Sequence, residues 1–273
     1  MNKSPSNLAL RVITALVILP IVLTLIWMPT LRPGFAVLTA FIVMTTLHEF
    51  LNLLRIRNIP THEPTAQLGA LALVAAAWWG DAVHLNAALI AALAALGLAS
   101  IVITPPSAAG ISGAFAALIY TAWCPAHVLM LHQREPDGAG LVMFLAVTVV
   151  LTDTAAYFTG KTLGRHPLAP VVSPKKTWEG SVGGFVVAIA GAHVIYLLVH
   201  ESTVYPDWTP LRYALTAAAL SIVAQVSDLV KSAVKRDAGV KDSGHLLPGH
   251  GGALDRFDGF LFAAPVLYYM AVF

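Results

Sequence analysis

Charge is what this chain has least of. Only 11% of its 273 residues are Asp, Glu, Lys or Arg, against about 25% in an ordinary soluble domain. That shortage excludes water as the main solvent of the molecule, and no nucleic-acid partner is expected. Cysteine is nearly absent as well. Cys124 stands alone within an apolar run, so no intramolecular disulfide can form and the thiol is expected to act as a small buried hydrophobe. No internal repeat and no low-complexity tail is visible. The first apolar run lacks a small-residue cleavage site before Trp27-Met28-Pro29, which favours a retained span over a cleaved signal peptide. The alternating ten-residue pattern of a membrane β-barrel is missing too.

What fills the chain is hydrophobic residue, 58% of the total, with a mean hydropathy of +0.76. Runs such as 12–28, 84–103 and 111–131 approach the roughly 20 residues that cross a bilayer as a helix. The expected fold is therefore all-α, a polytopic integral membrane bundle of about nine transmembrane helices. The expected spans are 12–28, 34–54, 66–80, 84–103, 111–131, 139–158, 181–199, 211–228 and 257–272. Breakers fall between them at Pro29, Pro33, Pro60, Pro64, Pro105, Pro106, Pro136, Pro206 and Pro210. Pro20 and Pro125 fall inside spans, where membrane helices tolerate proline.

Positive charge then orients the bundle. With the N-terminus inside, 13 of the 16 Lys and Arg lie on the inner side, and only Arg32, Arg134 and Arg212 lie outside. The two longest polar loops, 159–180 and 229–256, both face the cytoplasm in this scheme. Two parts are expected: residues 1–138 as N-terminal transmembrane helices for dimer and lipid contacts, and 139–273 as the catalytic domain.

The charge that is present concentrates between Asp228 and Asp258. Asp228 closes the eighth expected span, and Asp255 and Asp258 open the ninth. Asp255 and Asp258 are three apart, which puts both on one helical face. An aspartate deep in a membrane helix costs about 2.5–3.5 kcal/mol on insertion scales, so it needs a partner or a function. Two carboxylates this close repel unless a cation lies between them, and Mg²⁺, alone or with a second cation, suits such carboxylates plus substrate phosphates. If the eighth helix continues, Asp228 and Lys231 share a face and Lys235 projects a turn beyond, next to Arg236. Downstream, His250-Gly251-Gly252 offers a glycine turn whose amides can cradle phosphate. In the other loop, Asp153 lies near the inner end of the sixth span. Ser173 and Thr177 are expected caps of the seventh helix, with Lys175 and Lys176 at its start as an anion site. Together these groups fit phosphoryl or nucleotidyl transfer, which needs positioning and charge neutralisation. His245 and His250 lack the neighbours a zinc site requires. His48 and Glu49, a polar pair inside the second span, fit either a packing role or a cavity for a substrate head group.

These residues resemble a known family, the phosphatidate cytidylyltransferases or CDP-diacylglycerol synthases. The pattern S-x-x-K-R-x-x-x-x-K-D-x-x-x-x-x-P-x-H-G-G-x-x-D-R-x-D runs without interruption through Ser232, Lys235, Arg236, Lys241, Asp242, Pro248, His250, Gly251, Gly252, Asp255, Arg256 and Asp258. The upstream segments D-T-A-A-Y-F-T-G and S-P-K-K-T-W-E-G are similar to the family as well. The strong match covers about 150–258. The resemblance implies the reaction of CTP with phosphatidate to give CDP-diacylglycerol and diphosphate, a divalent-metal site at Asp228, Asp255 and Asp258, and a membrane homodimer. Asp228, Lys235, Asp255 and Asp258 are the candidate catalytic residues. Lys175, Lys176, Arg236, Lys241, His250, Gly251, Gly252, Arg256 and Asp153 are the candidate substrate-binding residues. The expected location is the bacterial inner membrane, with N-terminus and site cytoplasmic. A CTP-dependent lipid-alcohol kinase is the enzymatic alternative. An ion-coupled transporter is disfavoured, because its site would lie at the midplane between related halves.

Overall fold

The computed structural model describes residues 7–102, 105–244 and 251–273. Nine helices account for nearly all of it: α1 (Asn7–Trp27), α2 (Arg32–Ile56), α3 (Glu63–Trp79), α4 (Ala82–Val102), α5 (Ala108–His132), α6 (Gly138–Leu163), α7 (Trp178–Val199), α8 (Pro210–Asp237) and α9 (Leu254–Val272). Each expected span corresponds to one helix. Six helical stretches among the described residues are long and apolar enough to cross a membrane. Large apolar side chains on α4 and α7, among them Ile90, Leu98, Val182 and Leu198, point outward, as lipid-facing residues should. This is an integral membrane protein.

Local sequence explains where the helices start. Thr209 precedes Pro210 and accepts the Arg212 amide at 3.2 Å. Ser107 accepts the Gly110 amide at 3.1 Å. Thr177 accepts the Gly180 amide at 3.1 Å, as expected of a cap. Pro125 has no N–H to offer the Thr121 carbonyl one turn back, and α5 widens there into a π-turn over Ile119–Trp123. Thr46 Oγ1 of α2 reaches that carbonyl at 3.5 Å, the kind of neighbouring-helix repair that lets membrane helices keep proline.

Three expectations change. The eighth helix runs to Asp237 rather than ending at 228, adding about two and a half turns that carry Lys231, Lys235 and Arg236. Ser173 is not a helix cap. It lies in the second strand of a hairpin, β1 (Pro167–Ala169) and β2 (Ser173–Thr177), paired antiparallel. Lys175 and Lys176 are therefore on a strand that leads into α7, not on its first turn.

α6 and α7 pack closely, and α8 and then α9 complete the C-terminal group; α9 also packs on α5 and touches α2. The tight α6–α7 contact depends on Gly180 and Gly184, a small-xxx-small pair that lets backbones approach. A Cβ on Gly184 would lie 2.7 Å from the Thr152 carbonyl oxygen. At one end of the bundle, Arg134 Nη1 and Arg212 Nη2 donate to the carbonyls of Ala271 and Met270 at 2.6 and 2.7 Å, and Arg32 pairs with Glu135. The three arginines placed outside by the charge count thus share one end, two of them closing the C-terminus of α9. The remaining polar machinery is at the other end.

Candidate active site

A stripe on α8 and the first turn of α9 make the centre of the site. Asp228, Lys231 and Lys235 recur at helical spacing on α8, so they face the same neighbour. That neighbour is the start of α9, with Asp255 and Asp258. Lys231 Nζ lies 2.8 Å from Asp228 Oδ1, 2.5 Å from Asp258 Oδ2 and 3.6 Å from Asp255 Oδ1. Its side chain is only 8% exposed, so this is a buried ammonium gathered by three carboxylates. Lys235 pairs with Asp255 Oδ1. The other oxygen of Asp255 accepts from the Ser243 amide at 2.9 Å and the Ser243 hydroxyl at 3.1 Å. Both oxygens of Asp255 are engaged, and its partners are Lys231, Lys235 and Ser243 rather than Arg256 or Lys241.

The hairpin closes on this centre. Lys176 pairs with Asp228 Oδ2, and Arg236 Nε donates to the Val172 carbonyl at 3.3 Å. Asp153 and the Lys175-Lys176 segment thus meet α8 at Asp228. Asp153, Lys161, Lys175, Lys176, Gln225 and Asp228 line a cavity of about 550 Å³, with Tyr157 and Leu168 giving it an apolar wall. Its volume is that of a small-molecule site. Ser181 and Gln225 hydrogen-bond across its α7–α8 wall at 2.5 Å.

Not every expected residue reaches this cavity. Asp255, Asp258 and Lys235 stand behind it, connected through the Asp228–Lys231 contact. Lys241 and Arg256 are solvent-exposed side chains beside the centre, and Arg236 is exposed while it ties α8 to the hairpin. His245 and His250 lie outside the described residues. Gly251 adopts φ +81°, the left-handed region glycine favours. Gly252 is buried, and the space a side chain would need there is filled by Ser243 and Glu49. Glu49 does not line the cavity: it is 6% exposed and accepts hydrogen bonds from Ser243, Ala253 and Leu254. His48 instead pairs with Glu63 at 2.6 Å.

Sequence reasoning missed Tyr120, Ser227 and Ser243. Tyr120, on the π-turn of α5, places its hydroxyl 2.9 Å from both the carbonyl and the hydroxyl of Ser227, and Ser227 Oγ donates to the Asp258 carbonyl. The signal for Tyr120 was Pro125, since a π-turn beside a membrane proline often marks a functional position. Lys161, one turn past the expected end of its span, also lines the cavity.

Among the described residues, no three His, Cys, Asp or Glu side chains enclose a metal position as they stand; an ammonium holds the point where the carboxylates converge. The donor chemistry still fits a hard divalent cation. All the acids are carboxylates, Asp153 and Asp228 both face the cavity, and Mg²⁺ needs only one or two such ligands beside substrate phosphates.

Comparison with known proteins identifies the family. The model of the cytidylyltransferase family matches residues 9–273. A phosphatidate cytidylyltransferase of Brucella suis biovar 1 (strain 1330) is 37% identical over 269 residues, covering 96% of this chain and 93% of the relative. One from Staphylococcus saprophyticus subsp. saprophyticus is 33% identical over 264 residues, covering 94% and 96%. One from Bacillus subtilis (strain 168) is 41% identical over 154 residues, 56% of this chain and 55% of the relative.

Proposed function

The chain belongs to the cytidylyltransferase family, and on that premise we propose that it is a phosphatidate cytidylyltransferase. It joins CTP to phosphatidate, giving CDP-diacylglycerol and diphosphate for phospholipid synthesis. A phosphate oxygen of phosphatidate attacks the α-phosphorus of CTP in line. The new P–O bond forms as the bond from the α-phosphorus to the bridging oxygen breaks, and diphosphate leaves with that electron pair. No covalent protein nucleophile is needed, so the protein's part is positioning and charge neutralisation.

Lys175, Lys176 and Lys161 are placed to take phosphate charge in the cavity, where an exposed Lys175 can reach further than the paired Lys176. Asp228, Asp255 and Asp258 are the proposed holders of Mg²⁺, with Asp228 the member open to the cavity and Asp153 facing it. Bound there, the cation supplies neutralisation of nucleotide oxygens. Lys231 and Lys235 hold the carboxylates together, so that their mutual repulsion does not open the α8–α9 contact. The proposed setting is the bacterial inner membrane with the site on the cytoplasmic side, where soluble CTP meets a lipid head group. A homodimer is the proposed assembly.

The observation that carries this reading is the cavity edge itself: Lys176, Asp228, Lys231 and the two aspartates of α9 form one continuous chain of charge beside a cavity at an end of the bundle. The test uses the purified protein in detergent with labelled CTP, phosphatidate and Mg²⁺. The expected products are a CDP-lipid and diphosphate. A phosphorylated lipid alcohol with CDP as the leaving product, formed from a lipid alcohol and not from phosphatidate, would instead establish the kinase.

A further inference from the structure

Glu49 belongs to α2, within the half of the chain expected to serve membrane and dimer contacts, yet its carboxylate ends at the start of α9. Its Oε1 accepts the Ala253 amide at 2.8 Å, and its Oε2 accepts the Leu254 amide at 2.9 Å. These amides open α9, where no preceding turn exists to satisfy them, and a negative group there also meets the positive end of the helix dipole. The third partner is the Ser243 hydroxyl, 2.7 Å from Oε2. All three of these partners are neutral, and among the described residues no lysine or arginine pairs with this buried side chain.

Ser243 carries the contact onward. Its hydroxyl lies between two carboxylates, closer to Glu49 than to Asp255, while its backbone amide donates to Asp255 Oδ2 at 2.9 Å. With Oδ2 held from that side, Oδ1 is turned toward Lys235 and Lys231. Two glycines leave the room. A Cβ on Gly244 would stand 2.8 Å from Glu49 Cδ, and one on Gly252 would stand 2.7 Å from the Gly244 amide nitrogen.

We infer that Glu49 is a positioning residue for the transfer reaction: it fixes Ser243 and the first amides of α9, and so sets Asp255 against Lys235 and Lys231. The inference rests on the function proposed above. It gives the N-terminal half of the chain a part in the site. It also gives Gly252 a reason other than phosphate contact.

The test uses full-length protein in detergent, with Ser243→Ala and Glu49→Gln made singly and together. Ser243→Ala leaves the α9 amides capped and removes only the hydroxyl link, so it covers the case in which Glu49→Gln does not fold. Each variant should lose roughly 10–100-fold in kcat, the usual cost of removing a partner that orients a ligand group. The KM for CTP should change little, and the Mg²⁺ concentration giving half-maximal rate should rise. The double variant should lose no more than the worse single one, because both act along one path. Hydrogen exchange supplies a readout independent of turnover: the amides of Ser243, Ala253 and Leu254 should be protected in the wild type and exchange faster in Glu49→Gln, with α6 and α7 unchanged. The inference is overturned if folded Ser243→Ala turns over at the wild-type rate, if the two losses multiply, or if those amides exchange freely in the wild type. A wild-type chain that makes no CDP-lipid sinks the proposed function instead, and exchange then decides the contact alone.

Discussion

Replacing Lys231 by methionine tests the charge arrangement most directly. The substitution keeps the length and apolar stem of the side chain and removes only the ammonium. Three carboxylates then lose the cation that stands 2.5 to 3.6 Å from each of them. At an effective dielectric constant near 20, two unit charges about 3 Å apart interact by roughly 5 kcal/mol. Burying the ammonium offsets much of that attraction. What the variant feels is the uncompensated remainder: breaking a buried ion pair from one side costs about 3–5 kcal/mol. Asp228 remains paired with Lys176 and Asp255 with Lys235, so the loss falls mainly on Asp258 and should lie toward the lower bound. Against a typical total of about 5–15 kcal/mol, the variant should fold with a clearly reduced margin. The assay is unfolding in detergent, with turnover measured on the folded fraction. The single variant should unfold earlier and be nearly inactive, and added Mg²⁺ should stabilise it more than it stabilises the wild type. Adding Asp258→Asn should recover part of the lost stability, because it removes the orphaned charge. The reasoning fails if Lys231→Met unfolds with the wild type, or if the double variant is less stable than the single one.

Gly184→Val should push α6 and α7 apart, since its Cβ would lie 2.7 Å from a backbone oxygen; overpacking of this kind costs about 1–3 kcal/mol, read as earlier unfolding. Gly252→Ala should lower turnover sharply while sparing membrane insertion, because the added methyl displaces Ser243 and Glu49; CDP-lipid formation by membrane-inserted protein checks it, and normal turnover would count against the close packing. Arg212→Gln, at the opposite end of the bundle, removes a cap on the Met270 carbonyl and a contact over Trp208 at 4.8 Å. It should cost about 1 kcal/mol in the same unfolding assay with kcat unchanged, and so serves as the control for Lys231→Met and Gly252→Ala.

Much of this site was legible because its spacing is local. Asp228 and Lys231 share a face by the geometry of any helix, and Thr177 caps α7 because a threonine before a helix does so wherever the chain permits. The helix positions followed from hydropathy and proline placement. The hairpin was not legible: Ser173–Thr177 is a short polar segment, and nothing in its composition distinguishes a strand from a loop until Pro167–Ala169 pairs with it. The partners of Asp255 were not legible for a similar reason. Arg256 is its neighbour in sequence, but α8 brings Lys231 and Lys235 to it in space.

By itself, the sequence determined that this chain lives in a membrane, where its helices fall, and which residues carry charge. Burial of uncompensated charge is costly enough that a chain with so little of it reveals where it is used. Only the tertiary structure decided which charge answers which. Glu49 meets its partners 194 to 205 residues away, and Tyr120 meets Ser227 107 residues away. Hydrogen bonds act over about 3 Å, so no local pattern can announce them. The packing of α2 and α5 against α9 does.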